Sequence, residues 1–119
     1  MEKQELKDRT KKFASEVIDL VVKLPKSNVA DVLGKQLLRS ACSVGANYRS
    51  ACRSKSAADF INKIAVVIEE ADESQYWIEL LVDKKIIDKQ IAGKLWKEAD
   101  ELVRIMTASS KTAKNNNKK

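Results

Sequence analysis

Apolar residues recur at three- and four-residue intervals in four separate stretches of the chain, and each stretch predicts an amphipathic helix. The first runs from about Glu2 to Leu24, with Leu6, Phe13, Val17, Leu20, Val21 and Leu24 on one side. Pro25 ends it, because a proline pushes the residue before it out of the α region. Ser27 or Asn28 then offers an N-cap for the second stretch, about Asn28 to Arg53. With Lys35 set at 0° and about 100° added per residue, Leu33, Leu37, Ala41, Val44, Tyr48 and Ala51 fall between about 160° and 240°. Lys35, Arg39, Arg49 and Arg53 fall on the opposite side as one basic stripe. Gly34, Ser40, Ser43, Gly45 and Ala46 flank the apolar face and are small enough for a neighbouring helix to approach closely.

The third stretch, about Ala57 to Val82, follows Ser56, an N-cap with Asp59 in the first turn. Phe60, Ile61, Ile64, Val67, Ile68, Ala71, Ile78 and Leu81 form a broad apolar face. Val66, Trp77 and Leu80 lie outside it. A helix with apolar residues beyond one face sits centrally in its bundle or buries the excess against another subunit, which makes Trp77 and Leu80 candidates for an oligomer interface. Lys84 to Asp88 form the last connection, with Asp88 as the cap. The fourth stretch, about Lys89 to Ala108, packs through Ile91, Leu95, Ala99, Leu102, Ile105 and Met106. Residues 111–119 show no apolar period and read as a disordered basic tail. Helices of this length joined by short connections predict one all-α domain over residues 1–110, an antiparallel up-down-up-down four-helix bundle.

Composition narrows the chemistry. Three Gly and one Pro in 119 residues are too few for the turns of a β-sandwich or barrel. Histidine is absent, which removes imidazole acid/base catalysis, Ser-His-Asp triads and His-ligated zinc or di-iron sites. No apolar run reaches the roughly 20 residues of a membrane span. The polar start Met1-Glu2-Lys3-Gln4-Glu5 is unlike a secretory signal, so a cytoplasmic protein with no membrane partner is expected. Cys42 and Cys52 share a helix about 15 Å apart along its axis, too far for a disulfide. They read as small buried hydrophobes. Trp77, Trp96 and Tyr48 read as packing residues.

The net charge of +6 is unevenly spread. Residues 27–55 carry five cations and one acid, whereas residues 56–85 carry three cations and seven acids. Glu69, Glu70 and Glu73 lie in the most apolar part of the third helix. Either they face water or they are paired, and Arg39 is the first candidate for the pairing cation. A metal held by these carboxylates needs ligands from a second helix, and no cofactor or metal site is expected. The basic stripe fits a phosphate contact as well as a solvated helix face, and its three arginines favour the phosphate.

Leu38-Arg39-Ser40-Ala41-Cys42-Ser43-Val44-Gly45-Ala46-Asn47-Tyr48-Arg49-Ser50-Ala51 resembles a known family, as do Asp59-Phe60-Ile61-Asn62-Lys63 and Glu69-Glu70-Ala71-Asp72-Glu73-Ser74-Gln75-Tyr76-Trp77-Ile78-Glu79-Leu80-Leu81. These segments are similar to the four helix bundle protein family encoded in 23S ribosomal RNA intervening sequences, which is related to the accessory variability protein of diversity-generating retroelements. The resemblance implies a ring-like homopentamer of four-helix bundles. It also implies a basic surface suspected of binding RNA or DNA, and in the retroelement relatives a reverse transcriptase as protein partner. It carries over a polar network of Arg39, Asn47, Glu70 and Glu73, with Trp77 following. Where the family often has Glu, this chain has Ser50, which makes the local face more basic. The expectation is a non-enzymatic, oligomeric, nucleic-acid-associated protein. A protein–protein adaptor or assembly ring is the alternative.

Overall fold

The computed structural model describes residues 1–118. It contains four helices, α1 (Lys3–Val22), α2 (Asn28–Cys52), α3 (Ala57–Asp83) and α4 (Lys89–Asn117). They pack into an all-α four-helix bundle 52 Å long and 20 Å across. Among the described residues, no helix is long and apolar enough to cross a membrane.

Three helices start at a capping side chain. Ser27 Oγ accepts the Ala30 N–H at 3.1 Å, Ser56 Oγ accepts the Asp59 N–H at 3.1 Å, and Asp88 Oδ1 accepts the Gln90 N–H at 2.6 Å. Each such cap contributes about 1 kcal/mol. α1 ends at Val22, two residues before the predicted Leu24. The N–H groups of Lys23 and Leu24 donate to the carbonyls of Leu20 and Val21, tightening the last turn ahead of Pro25. α3 ends in a Schellman turn, in which the Ile86 N–H donates to the Leu81 carbonyl and the Lys85 N–H to the Val82 carbonyl. Lys85 sits there at φ 59°, a left-handed position that glycine adopts at less cost.

The core is built from the stripes the sequence predicts, and three fully buried polar side chains join it. Thr10 is fully buried between Leu6 and Phe13, and its hydroxyl donates to the Leu6 carbonyl at 2.8 Å. Ser40 and Ser74 are also fully buried, and so belong to the core and not to its flank. Close approach follows from the small residues. A Cβ on Gly34 would lie 2.8 Å from Leu24 Cδ1, and one on Gly45 would lie 3.4 Å from Thr10 Oγ1. Residue numbers therefore fall along α1 as they rise along α2, an antiparallel pairing. Gln75 lies near Trp96 and Asp100, and Trp96 Nε1 donates to Glu79 Oε2 at 2.8 Å, so α3 and α4 also run antiparallel.

α4 corrects two expectations. Ile91 is 59 % exposed, and Ala92 takes the core position at that level. Residues 111–117, read as a disordered tail, continue α4 to Asn117. The reason is a stripe of small residues: after Met106, buried Ser110 and half-buried Ala113 keep the helical period without a large side chain. Lys119 lies outside the described residues.

Candidate functional site

All four cations of the α2 stripe, Lys35, Arg39, Arg49 and Arg53, are exposed. The helical phase set by the Ser27 cap and by buried Leu37, Ala41, Val44 and Tyr48 turns them outward. They are not equivalent. The Arg39 guanidinium donates to Glu70 Oε2 at 3.1 Å and to Glu73 Oε1, so it spans two carboxylates of α3 instead of gripping one bidentately. Its side chain remains 49 % exposed. Hydrogen bonding to Glu73 is the main cause that raises its pKa above the usual arginine value. Among the described residues, Lys35, Arg49 and Arg53 form no ion pair.

The Arg39 cluster sits over a polar seam. Ser40 Oγ and Ser74 Oγ meet at 2.9 Å, and the carbonyls of Leu37 and Glu70 lie within reach of the two hydroxyls. Trp77 Nε1 donates to Glu73 Oε1 at 3.1 Å, so one carboxylate oxygen receives both the indole and the guanidinium. Of the expected network, the structure joins Arg39, Glu70 and Glu73. Asn47 stands apart, its amide donating to the Ser43 carbonyl one turn back at 2.8 Å. Glu69 is exposed.

Trp77 and Leu80 are half-buried on the outer side of α3. Val66, Glu73, Trp77 and Leu80 lie between about 200° and 260° around the helix from buried Ile78. Tyr76 beside them is 54 % exposed and meets the Trp77 ring edge-on at 5.1 Å.

Two further arrangements were not visible in the sequence. Arg9 of α1 forms a bidentate pair with Glu98 of α4 (Nε to Oε2 2.7 Å, Nη2 to Oε1 2.8 Å) and reaches Glu101 at 2.9 Å. These bonds, the one to Glu98 foremost, raise the Arg9 pKa despite partial burial. The second is a groove of about 330 Å3 between α1 and α2, lined by Lys7, Lys11, Ala14, Cys42, Gly45, Ala46 and Arg49. Three cations and no carboxylate line it. In the sequence this site shows only in separate pieces: Lys7 and Lys11 are four residues apart and so share one side of α1, and Arg49 belongs to the α2 stripe.

Cys42 is exposed and lines that groove, contrary to its reading as a buried hydrophobe. Cys52 is half-buried, and both thiols are free. Tyr48, one turn before Cys52, is buried, and burial first and the thiol second push its phenol above the usual tyrosine range. Among the described residues, no cluster of three or more Cys, Asp or Glu side chains is arranged to hold a metal.

The family model of the 23S rRNA-intervening sequence protein matches residues 2–108. The chain belongs to this family. A crystal structure from Bacteroides thetaiotaomicron, a protein of unknown function from the S23 ribosomal protein family, is 33% identical to this chain. The match covers 93% of this chain and 99% of that one, with a TM-score of 0.84. Among curated proteins, nothing matches the chain.

Proposed function

We propose that this family member is a non-enzymatic, cytoplasmic, oligomeric protein that contacts the phosphate backbone of RNA or DNA through the outward cations of its α1–α2 side. The observation that carries this reading is the exposure of Lys35, Arg49 and Arg53, none of them ion-paired among the described residues. Arg39 belongs to the fold more than to this surface, because two carboxylates hold it. Contacts of this kind release counterions, so binding is weakly sequence-specific and falls steeply with salt. Fluorescence anisotropy with labelled RNA and DNA across a salt series tests it, and no binding at low salt rejects it.

The half-buried Trp77 and Leu80 beside exposed Tyr76 support self-association through the outer side of α3, and the family resemblance makes a homopentamer the assembly to look for. The same apolar surface supports a second reading, in which the assembly displays itself to a protein partner such as a reverse transcriptase and has no direct nucleic-acid role. Light scattering tests the assembly, and a monomer rejects it. Capture of a specific protein that survives nuclease treatment and substitution of Arg49 and Arg53 selects the second reading.

A further inference from the structure

Resting on the nucleic-acid reading above, we infer that the ligand is a single strand and that it lies in the groove between α1 and α2. The groove has two cationic rims, Lys7 and Lys11 on α1 and Arg49 on α2, with exposed Arg53 one turn beyond. The rest of its lining is Ala14, Cys42, Gly45 and Ala46, residues too small to fill it. α1 and α2 touch where Gly45 meets Thr10, and beside that contact the groove of about 330 Å3 has room for one sugar–phosphate backbone between the rims. A duplex carries two such backbones with stacked base pairs between them, and does not fit a groove of that size. No carboxylate lines the groove to repel phosphate. No aromatic side chain lines it either, so the strand is held by its backbone without base stacking, and sequence is not read. Lys7 and Lys11 are about 6 Å apart along α1, which lets them meet separate phosphates of one strand.

Anisotropy with the full-length protein, a labelled single-stranded RNA and a duplex of equal length tests the assignment. Neutralising the rims (Lys7→Gln, Lys11→Gln and Arg49→Gln together) is expected to flatten the slope of log Kobs against log salt by about 2, at about 0.7 per single-strand phosphate contact. The same number of substitutions on α4 (Lys97→Gln, Lys111→Gln, Lys114→Gln) is expected to leave that slope unchanged. Ala46 lines the groove and is exposed, so Ala46→Leu narrows the groove without altering charge or core. It is expected to weaken single-strand binding while the melting temperature stays put. Bound strand is also expected to shield Cys42, but not Cys52, from iodoacetamide. Equal binding of duplex and single strand, both indifferent to Ala46→Leu, overturns the groove assignment and leaves phosphate contact elsewhere on the surface standing. Absence of binding to either at the lowest salt overturns the nucleic-acid reading itself.

Discussion

The α2–α3 seam and the α1–α4 seam close the same bundle by different means. Between α2 and α3, buried Ser40 and Ser74 face each other at 2.9 Å and let the helices come close, while Arg39 is fixed above them by Glu70 and Glu73. Between α1 and α4, the Arg9 pairs with Glu98 and Glu101 hold one end. Towards the other end the helices part over an open groove of about 550 Å3, lined by Leu20, Leu24, Ile86, Ile87, Ile91 and Leu95 together with charged side chains. The contrast teaches where cohesion resides. Helices α2, α3 and α4 form a continuous block, and α1 is attached mainly through α2 and its own buried stripe. The cationic groove lies along the edge where α1 is attached.

The sharpest way to break the comparison is Phe13→Ala. Phe13 is fully buried on α1, and such truncations cost about 3–5 kcal/mol. Hydrogen exchange is expected to show α1 losing protection before α2 and α3; simultaneous loss in all helices would erase the distinction between the seams. Next is Ser40→Val, which puts extra volume into the close α2–α3 contact. It is expected to cost about 1–3 kcal/mol in chemical denaturation, and a neutral result would mean that this seam has slack. Arg9→Ala is expected to cost about 1 kcal/mol, more than a typical surface pair because the bond to Glu98 is bidentate and partly buried. Its effect on exchange is expected to centre on α1 and α4.

A smaller change of opposite sign is Lys85→Gly. Relief of the left-handed strain, about 1–2 kcal/mol, outweighs the entropy that glycine adds to the unfolded chain, about 0.4–1 kcal/mol, so the melting temperature is expected to rise. The smallest concerns Tyr48. Its phenol titrates at higher pH in the folded chain than in the unfolded one. Its contribution is therefore complete below about pH 10 and is lost as the pH climbs above it towards the folded value. Tyr48→Phe is expected to make the alkaline decline in stability shallower; an unchanged profile would place that decline elsewhere.

The helical architecture was legible because its signals are local. Pro25, Ser27, Ser56 and Asp88 mark ends and starts, and 3.6-residue periodicity marks which side of each helix is buried. The end of α4 was not legible, since Ser110 and Ala113 carry too little hydrophobicity to register as a stripe. Thr10 was missed for a related reason: its hydroxyl is satisfied by its own helix, which makes a polar residue admissible in the core. The outward direction of Lys35, Arg49 and Arg53 follows from the phase of one helix, and the pairing of Arg39 from the acids of α3 set against the cations of α2. The Lys7–Lys11–Arg49 groove depends on how α1 is rotated against α2, and Arg9 on how it is rotated against α4. Those phases are set by packing between distant parts of the chain, where one helix's periodicity says nothing.

The acids of α3, set against the cations of α2, leave the charge uneven around the bundle. An object built this way feels a torque near a polyanion and turns its positive side forward before anything touches. In physiological salt that torque acts only within about 8 Å, less than half the 20 Å width of the bundle, so orientation is settled in the last moments of approach.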